Sequence, residues 1–105
     1  SPDLATLPDG WAERLVAFRT KNTAGVTGWC LEIHDLVVSK LAAGREKDLK
    51  YINALLSRGL VRPLTLKKRI EATPVTAEDR ALMHLYLKKL LGRKRVTRQK
   101  TFSQK

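Results

Sequence analysis

The sequence predicts a mainly helical α+β domain: a short N-terminal β-hairpin, then four helices in a small bundle, then a disordered basic tail. Apolar residues follow helical spacing from residue 33 to residue 92. Before residue 33, two short apolar runs of strand length are joined by a polar loop. The chain has 105 residues, 43% of them apolar, which is enough for one small core. We therefore expect one domain at residues 1–92 and the tail at residues 93–105.

The hairpin is predicted from residues 15–18 and 26–31. The first run is apolar and the second is rich in β-branched and aromatic residues, with turn-forming residues 20–25 between them. Residues 11–15 could form one helical turn before it. Gly28 weakens the second strand, so irregular structure at both runs is the alternative. An isolated two-stranded hairpin is only marginally stable in water. We therefore expect the helices, or a sheet in a missing N-terminal part, to stabilise it.

The first two helices are predicted from apolar stripes on either side of a glycine. The stripes consist of Ile33, Leu36, Val37 and Leu41, and of Leu49, Ile52, Leu55 and Leu56. Asp35 lies in the first turn of the first helix, where a negative charge is favoured. Gly44 and Gly59 suit the left-handed conformation that ends a helix.

Proline and threonine residues set the limits of the third and fourth helices. Pro63 fits the first turn of the third helix, and Pro74 stops it. Thr76 can cap the fourth helix, which we expect to end near Gly92. The apolar stripes consist of Leu66 and Ile70 in the third helix and of Leu82, Leu85, Leu87, Leu90 and Leu91 in the fourth. The fourth helix is apolar around much of its circumference, so we expect it to pack on more than one neighbour.

Cys30 is the single cysteine, which excludes an internal disulfide framework and a cysteine-based zinc site. A single cysteine fits a reduced, cytoplasmic compartment. The apolar run around Cys30 favours a buried structural thiol over a reactive one. No stretch approaches the ~18–20 apolar residues of a membrane span and there is no signal peptide, so we expect no membrane partner. The chain begins with Ser1 rather than Met, as expected of a processed product or a piece of a longer protein.

The net charge of +11 is concentrated at the C-terminus. Residues 1–87 hold 13 basic and 10 acidic residues, whereas residues 88–105 hold eight basic residues and no acidic one. The tail residues that we predict to bind nucleic-acid phosphates are Arg93, Lys94, Arg95, Arg98 and Lys100. A solubilising tail is the alternative. Because Phe102 is the one aromatic residue there, we expect RNA binding without sequence-specific recognition.

Most catalytic motifs are absent from the sequence. It has no glycine-rich phosphate loop, no G-x-S-x-G elbow and no H-E-x-x-H pair. His34 and His84 are far apart in the chain, and each fits a surface or helix-end position better than a metal site. His34 and Asp35 could together bind a metal, but their position at the start of a helix is a sufficient explanation for both residues. We predict no metal site in this chain.

Four ionisable residues surround the glycine between the first two helices: Lys40, Arg45, Lys47 and Asp48. Lys40 lies beside the buried stripe, so its amine either reaches water or serves a polar cleft. Arg45 and Lys47 flank the start of the second helix, whose free N–H groups favour anions. Asp48 can cap that helix, orient Lys40 or Arg45, or assist a reaction. The structural alternative is a solvated ion-pair cluster, and spacing alone leaves both interpretations open.

The segment HDLVVSKLAAGREKDLKYI resembles the C-terminal part of minimal and abortive-infection-type bacterial nucleotidyltransferases, the nucleotidyltransferases of toxin–antitoxin systems. In that group a D-L-hhh-K-L-h-A-G-R-x-K-D pattern, in which h is apolar, follows the catalytic core. The matching positions are Asp35-Leu36, Lys40-Leu41, Ala43-Gly44-Arg45 and Lys47-Asp48. The upstream LPDGWAERLV and VTGWCLEIHDL are also similar. The resemblance covers residues 7–60, and the later helices only loosely.

The resemblance implies a role for each matching residue. Lys40 matches a lysine that contacts the nucleotide phosphates, and Asp48 matches an acidic residue near the active site, so both are candidate catalytic residues. Arg45 and Lys47 match basic positions beside them and are candidate phosphate-binding residues. The implied reaction transfers a nucleotide from an NTP to a protein or RNA acceptor. Two magnesium-binding carboxylates and a Gly-Ser turn do the main work in that reaction.

The sequence departs from the family pattern because residues 1–105 contain neither the Gly-Ser turn nor the Asp-x-Asp pair of its N-terminal half. We therefore expect the chain to be inactive alone and without a cofactor, with Mg and NTP bound by a full-length parent. The expected partner is the missing catalytic half, or a toxin or antitoxin. The alternatives are a non-enzymatic nucleic-acid-binding module and a protein-interaction module. The latter would expose an apolar patch on the last helix or at the hairpin edge.

Overall fold

A computed structural model of the chain describes residues 6–18 and 26–103, with side chains as far as Gly92. The described part begins with a 3-10 helix, Trp11–Arg14. It continues with strands β1 (Val16–Phe18) and β2 (Gly28–Cys30) and with helices α1 (Ile33–Ala43), α2 (Glu46–Ser57), α3 (Pro63–Glu71) and α4 (Ala77–Ser103). The hairpin and the four helices confirm the predicted fold class.

The hairpin pairs β1 with β2 in antiparallel register, Val16 opposite Cys30 and Phe18 opposite Gly28. Both strands expose their side chains, so the irregular alternative is wrong but the strands are not part of the core. Cys30 is exposed, and the predicted buried thiol is therefore wrong. The apolar run does form a strand, but within residues 6–18 and 26–103 no second layer covers its faces.

Local sequence signals set the helix limits. Gly44 has a φ of 64° and donates its N–H to the carbonyl oxygen of Lys40 at 2.9 Å, which closes α1. Gly59, with a φ of 70°, follows α2, and Pro63 occupies the first turn of α3. The hydroxyl of Thr76 accepts the N–H of Asp79 at 3.0 Å and caps α4. These four predicted limits are confirmed.

The core lies between the four helices, and α4 contacts each of the other three. Its buried apolar residues are Val37, Val38, Leu41, Ile52, Leu55, Leu56, Val61, Leu66, Ile70, Met83, Leu87 and Leu90. Leu82 and Leu85 remain 42% and 44% exposed, contrary to the predicted stripe. The buried face of α4 follows Met83, Leu87 and Leu90, spaced by four and three residues, and this face turns Leu82 and Leu85 away from the core.

Both surfaces named for the protein-interaction alternative expose apolar side chains. On the hairpin these are Val16, Phe18 and Trp29, and on α4 they are Leu82 and Leu85. We find no helix among the described residues that has both the length and the apolar character to cross a membrane.

The backbone of α4 stays helical to Ser103, beyond the end that we predicted near Gly92. One glycine weakens a helix by only about 1 kcal/mol relative to alanine. No proline follows Gly92, and residues 93–101 include several good helix formers. The side chains of residues 93–105 lie outside the described part, and so do the predicted contacts of this tail.

Candidate functional site

The corner between α1 and α2 brings three of the four predicted site residues together. Arg45 donates from Nε to Oδ2 of Asp48 at 2.7 Å and from Nη2 to Oδ1 at 3.5 Å. The Lys40 amine donates to Oδ1 of the same carboxylate at 3.4 Å. Asp48 is only 1% exposed, whereas the side chains of Lys40 and Arg45 are 29% and 61% exposed. One buried carboxylate therefore holds two cations that both reach the surface.

The environment of Asp48 keeps its carboxylate ionised. The hydrogen bond from Arg45 lowers its pKa most, burial opposes this shift, and Lys40 lowers the pKa further. Both carboxylate oxygens already accept hydrogen bonds from cations. A carboxylate in this state is a weak proton acceptor and is suited to fixing the positions of Arg45 and Lys40.

The Lys40 amine also lies 5.0 Å from the centroid of the Tyr51 ring, within the range of a cation–π contact. The Lys40 amine therefore has two contacts within the protein, one with Asp48 and one with the Tyr51 ring. Lys47 is exposed, and we find no ion pair for it with any described residue. Lys47 therefore adds positive charge at the helix start without belonging to the bonded cluster.

The N-terminus of α2 lies at the same corner. Arg45 is its N-cap residue and makes no side-chain cap hydrogen bond to the first turn. The first N–H groups of a helix have no partner within the helix, and together they favour an anion. An open groove of about 370 Å³ adjoins the corner and is lined by Gly44, Glu46, Leu49, Lys50 and Tyr86. The corner thus combines two fixed cations, a helix N-terminus and adjacent open space.

A second buried carboxylate, Asp35, forms a larger ion cluster that we did not predict. It accepts hydrogen bonds from Nε and Nη2 of Arg14, both at 2.8 Å, and from Nη1 of Arg69 at 2.9 Å. Arg69 also donates to Glu32 at 2.5 Å. The cluster joins the 3-10 helix, α1 and α3, and Asp35 is fully buried. In the sequence, the one indication of this cluster is the position of Asp35. It lies three residues before Val38, on the face of α1 that packs into the core.

Glu32 connects this cluster to the start of α1. Its carboxylate accepts the N–H groups of His34 and Asp35 and so caps the helix, a role we did not predict. Burial raises its pKa, but hydrogen bonds from His34 and Arg69 more than offset this, and the pKa falls from 4.5 to about 2. His34 accepts the N–H of Arg62 at Nε2, 2.9 Å away, so its Nδ1 carries the hydrogen that points to Glu32.

The histidines and acidic residues do not form a metal site in the described part of the chain. His34 contacts Glu32, and Nε2 of His84 lies 2.6 Å from the carboxylate of Glu71. Among residues 6–18 and 26–92 no group of three or more possible ligands is placed to hold a metal ion. Both buried aspartates bind cationic side chains instead.

The chain matches the model of a protein family over most of its length. The model of a family described as "Nucleotidyltransferase of unknown function (DUF6036)" matches residues 1–90, which include the corner and the Asp35 cluster. No curated protein and no solved structure matches the chain.

Proposed function

We propose, for a chain that belongs to the DUF6036 family of nucleotidyltransferases of unknown function, that the corner between α1 and α2 contacts the phosphates of an NTP. In this proposal Lys40 and Arg45 bind phosphate oxygens during transfer of the nucleotide. Lys47 adds positive charge at the mouth of the site. The family match covers the whole corner, which supports assigning these residues to nucleotide handling.

The observation that carries the proposal is the convergence of two cations on one buried carboxylate beside the start of α2. Arg45 uses Nε and Nη2 for Asp48, which leaves Nη1 as a further donor on a side chain that is mostly exposed. A guanidinium held from one side can bind a phosphate oxygen with little loss of side-chain entropy. The N–H groups at the start of α2 add donors for the same anion.

Asp48 acts in this proposal as a positioning residue. Its lowered pKa and its two cationic partners make it a poor general base at neutral pH. The role that suits it is to hold Lys40 and Arg45 at a fixed separation. The family resemblance implied a place near the active site, and a positioning role agrees with that place.

The described residues do not fit a magnesium site. Magnesium prefers several oxygen ligands in octahedral geometry, usually one or two carboxylates, waters and substrate phosphates. The two buried aspartates, Asp35 and Asp48, already accept hydrogen bonds from arginine and lysine. We therefore assign no reaction step to magnesium at this corner. We propose that the 105 residues bind NTP without transferring the nucleotide by themselves.

The abortive-infection type and a toxin–antitoxin partner are the finer part of the proposal. They are supported by the D-L…K-L…A-G-R-x-K-D pattern of residues 35–48. The acceptor in this proposal is a protein or an RNA. Co-expression of the chain with a nucleotidyltransferase toxin should change bacterial growth relative to the toxin alone if the two act together. Unchanged growth, with the chain present in the soluble fraction, would count against this assignment.

Titration of the labelled protein with ATP, with and without magnesium, tests phosphate binding by chemical-shift changes. We expect the largest changes at the amides of Gly44, Arg45, Glu46 and Lys47. Lys40→Met should weaken binding about tenfold, because one charge-assisted contact is lost. Lys68→Met is the matched control, since Lys68 is exposed on α3 and removes the same charge away from the corner. Changes confined to other regions, or equal effects of both variants, would refute the proposal.

A further inference from the structure

A second cavity, of about 440 Å³, lies between α3 and α4 and shares no residue with the corner. Lys67 lines it from α3, and His84, Lys88, Leu91 and Gly92 line it from α4. The four residues of α4 follow spacings of four, three and one, so they lie on one face of the helix. Two lysines from different helices therefore border one open space.

The charges around this cavity are unbalanced. Lys67 and Lys88 are exposed, and neither forms an ion pair or a side-chain hydrogen bond with a described residue. No carboxylate is among the described lining residues. The carboxylate of Glu71 lies 2.6 Å from Nε2 of His84, which is one of the lining residues. Positive charges that share a site repel each other, and an anion between them relieves this repulsion.

We propose that this cavity binds a phosphate group, with Lys67 and Lys88 as its cationic ligands. Lysine amines are common phosphate ligands because they carry a compact charge and three donors. The same chemistry would suit a free mononucleotide or one phosphate of a nucleic-acid strand. The strand is favoured because Gly92, which lines the cavity, leads directly into residues 93–105, which have six basic residues and no acidic one. A strand held in the cavity could continue along that segment.

The test measures binding of a fluorescein-labelled single-stranded oligouridylate to the full chain by anisotropy, at salt concentrations between about 50 and 200 mM. The double variant Lys67→Gln/Lys88→Gln removes both cavity lysines. The matched control, Lys68→Gln/Lys89→Gln, removes the same charge from neighbouring exposed positions of the same helices that do not line the cavity. Because all four positions are exposed, we expect both variants to fold, and circular dichroism checks this. Titration with uridine monophosphate, followed by the amide shifts of Lys67, His84 and Gly92, provides the second arm.

If the cavity binds a strand phosphate, the cavity variant should lose about tenfold in affinity for the oligouridylate and the control much less. Its plot of log affinity against log salt should also become shallower. If uridine monophosphate shifts the cavity amides but both variants bind the oligouridylate equally, the cavity takes phosphate from a free nucleotide. Equal oligouridylate binding by both variants, together with unchanged cavity amides in uridine monophosphate, would overturn the proposal.

Discussion

Arg14 and Asp35 form a bidentate ion pair in which both donor–acceptor distances are 2.8 Å. The pair ties the 3-10 helix at the start of the described chain to α1. Asp35 is fully buried, whereas the Arg14 side chain is 28% exposed. The hydrogen bond that Arg14 donates to Asp35 raises the pKa of Arg14, with burial opposing the shift. Because Arg69 of α3 also donates a hydrogen bond to Asp35, this carboxylate connects the 3-10 helix, α1 and α3.

Replacing Asp35 with asparagine should lower the free energy of unfolding by about 3 kcal/mol. The variant keeps the shape of the side chain but leaves two partly buried arginines facing a neutral amide, and loss of one partner of a buried pair is strongly destabilising. Urea unfolding followed by circular dichroism measures the change. Glu46→Gln is the control, because Glu46 pairs with Lys50 at 3.8 Å on the surface and should contribute less than about 0.5 kcal/mol. Similar losses in the two variants would contradict the role given to Asp35.

Glu32 should make the stability of the protein depend on pH in the acidic range. Its folded-state pKa is about 2, against 4.5 for the free side chain, because the hydrogen bonds from His34 and Arg69 outweigh the effect of burial. The folded protein therefore binds this proton less readily than the unfolded chain does. The contribution of Glu32 to stability is complete above about pH 4.5 and is lost as the pH falls towards 2.

The variant Glu32→Gln cannot ionise at this position, so its free energy of unfolding should fall less steeply with acidification. Urea midpoints collected across the same pH range give the two slopes. Glu46→Gln should retain a slope close to that of the wild type, since the ion pair between Glu46 and Lys50 is long and exposed to solvent. A Glu32→Gln slope equal to that of the wild type would mean that the Glu32 contacts do not stabilise the fold.

Gly44 should tolerate substitution less well than Gly59, although both have a positive φ. In each case alanine in the left-handed conformation costs about 1 kcal/mol. At Gly44 an added Cβ would also lie 2.9 Å from Cε2 of Tyr86, whereas at Gly59 no atom lies within 4 Å. The Tyr86 ring packs against the core, so moving it away from the added Cβ would disturb that packing. Gly44→Ala should therefore lose at least about 1 kcal/mol more than Gly59→Ala in urea unfolding, and equal losses would exclude the Tyr86 contact as a cause.

Features that depend on a few neighbouring residues were predictable from the sequence. Gly44, Pro63 and Thr76 act through their own backbone or a nearby N–H group, so they fixed helix limits without knowledge of the packing. The meeting of Lys40 and Asp48 was predictable for a similar reason. They are eight positions apart on either side of one turn, so few arrangements of two helices keep them separate.

Features that depend on distant residues were not predictable. Arg14 and Arg69 reach Asp35 across 21 and 34 positions, and nothing in either local sequence indicates that contact. The exposure of Cys30 depended on whether another layer covers the hairpin, which strand propensity does not determine. Met83 is buried and Leu82 is exposed because α4 is rotated about its own axis so that Met83 faces the other three helices. Several leucines around one helix left that rotation undetermined.

Removing residues 93–105 should weaken oligouridylate binding without unfolding the domain. The core formed by the described side chains lies entirely before residue 93, so the thermal midpoint should stay close to that of the full chain. Six basic residues are lost, and each phosphate contact to a single strand contributes ~0.7 to the slope of log affinity against log salt. The slope should thus become shallower by as much as about 4.

A full-length variant with glutamine at those six positions separates charge from chain length. If charge drives binding, this variant should match the truncated chain in both affinity and salt dependence. Wild-type affinity in the glutamine variant would instead show that the tail acts through its backbone or through Phe102. Combining the truncation with Lys67→Gln/Lys88→Gln then tests whether one strand occupies both surfaces. Losses of binding free energy that add indicate independent contacts, whereas a combined loss smaller than the sum indicates that the tail and the cavity hold the same phosphates.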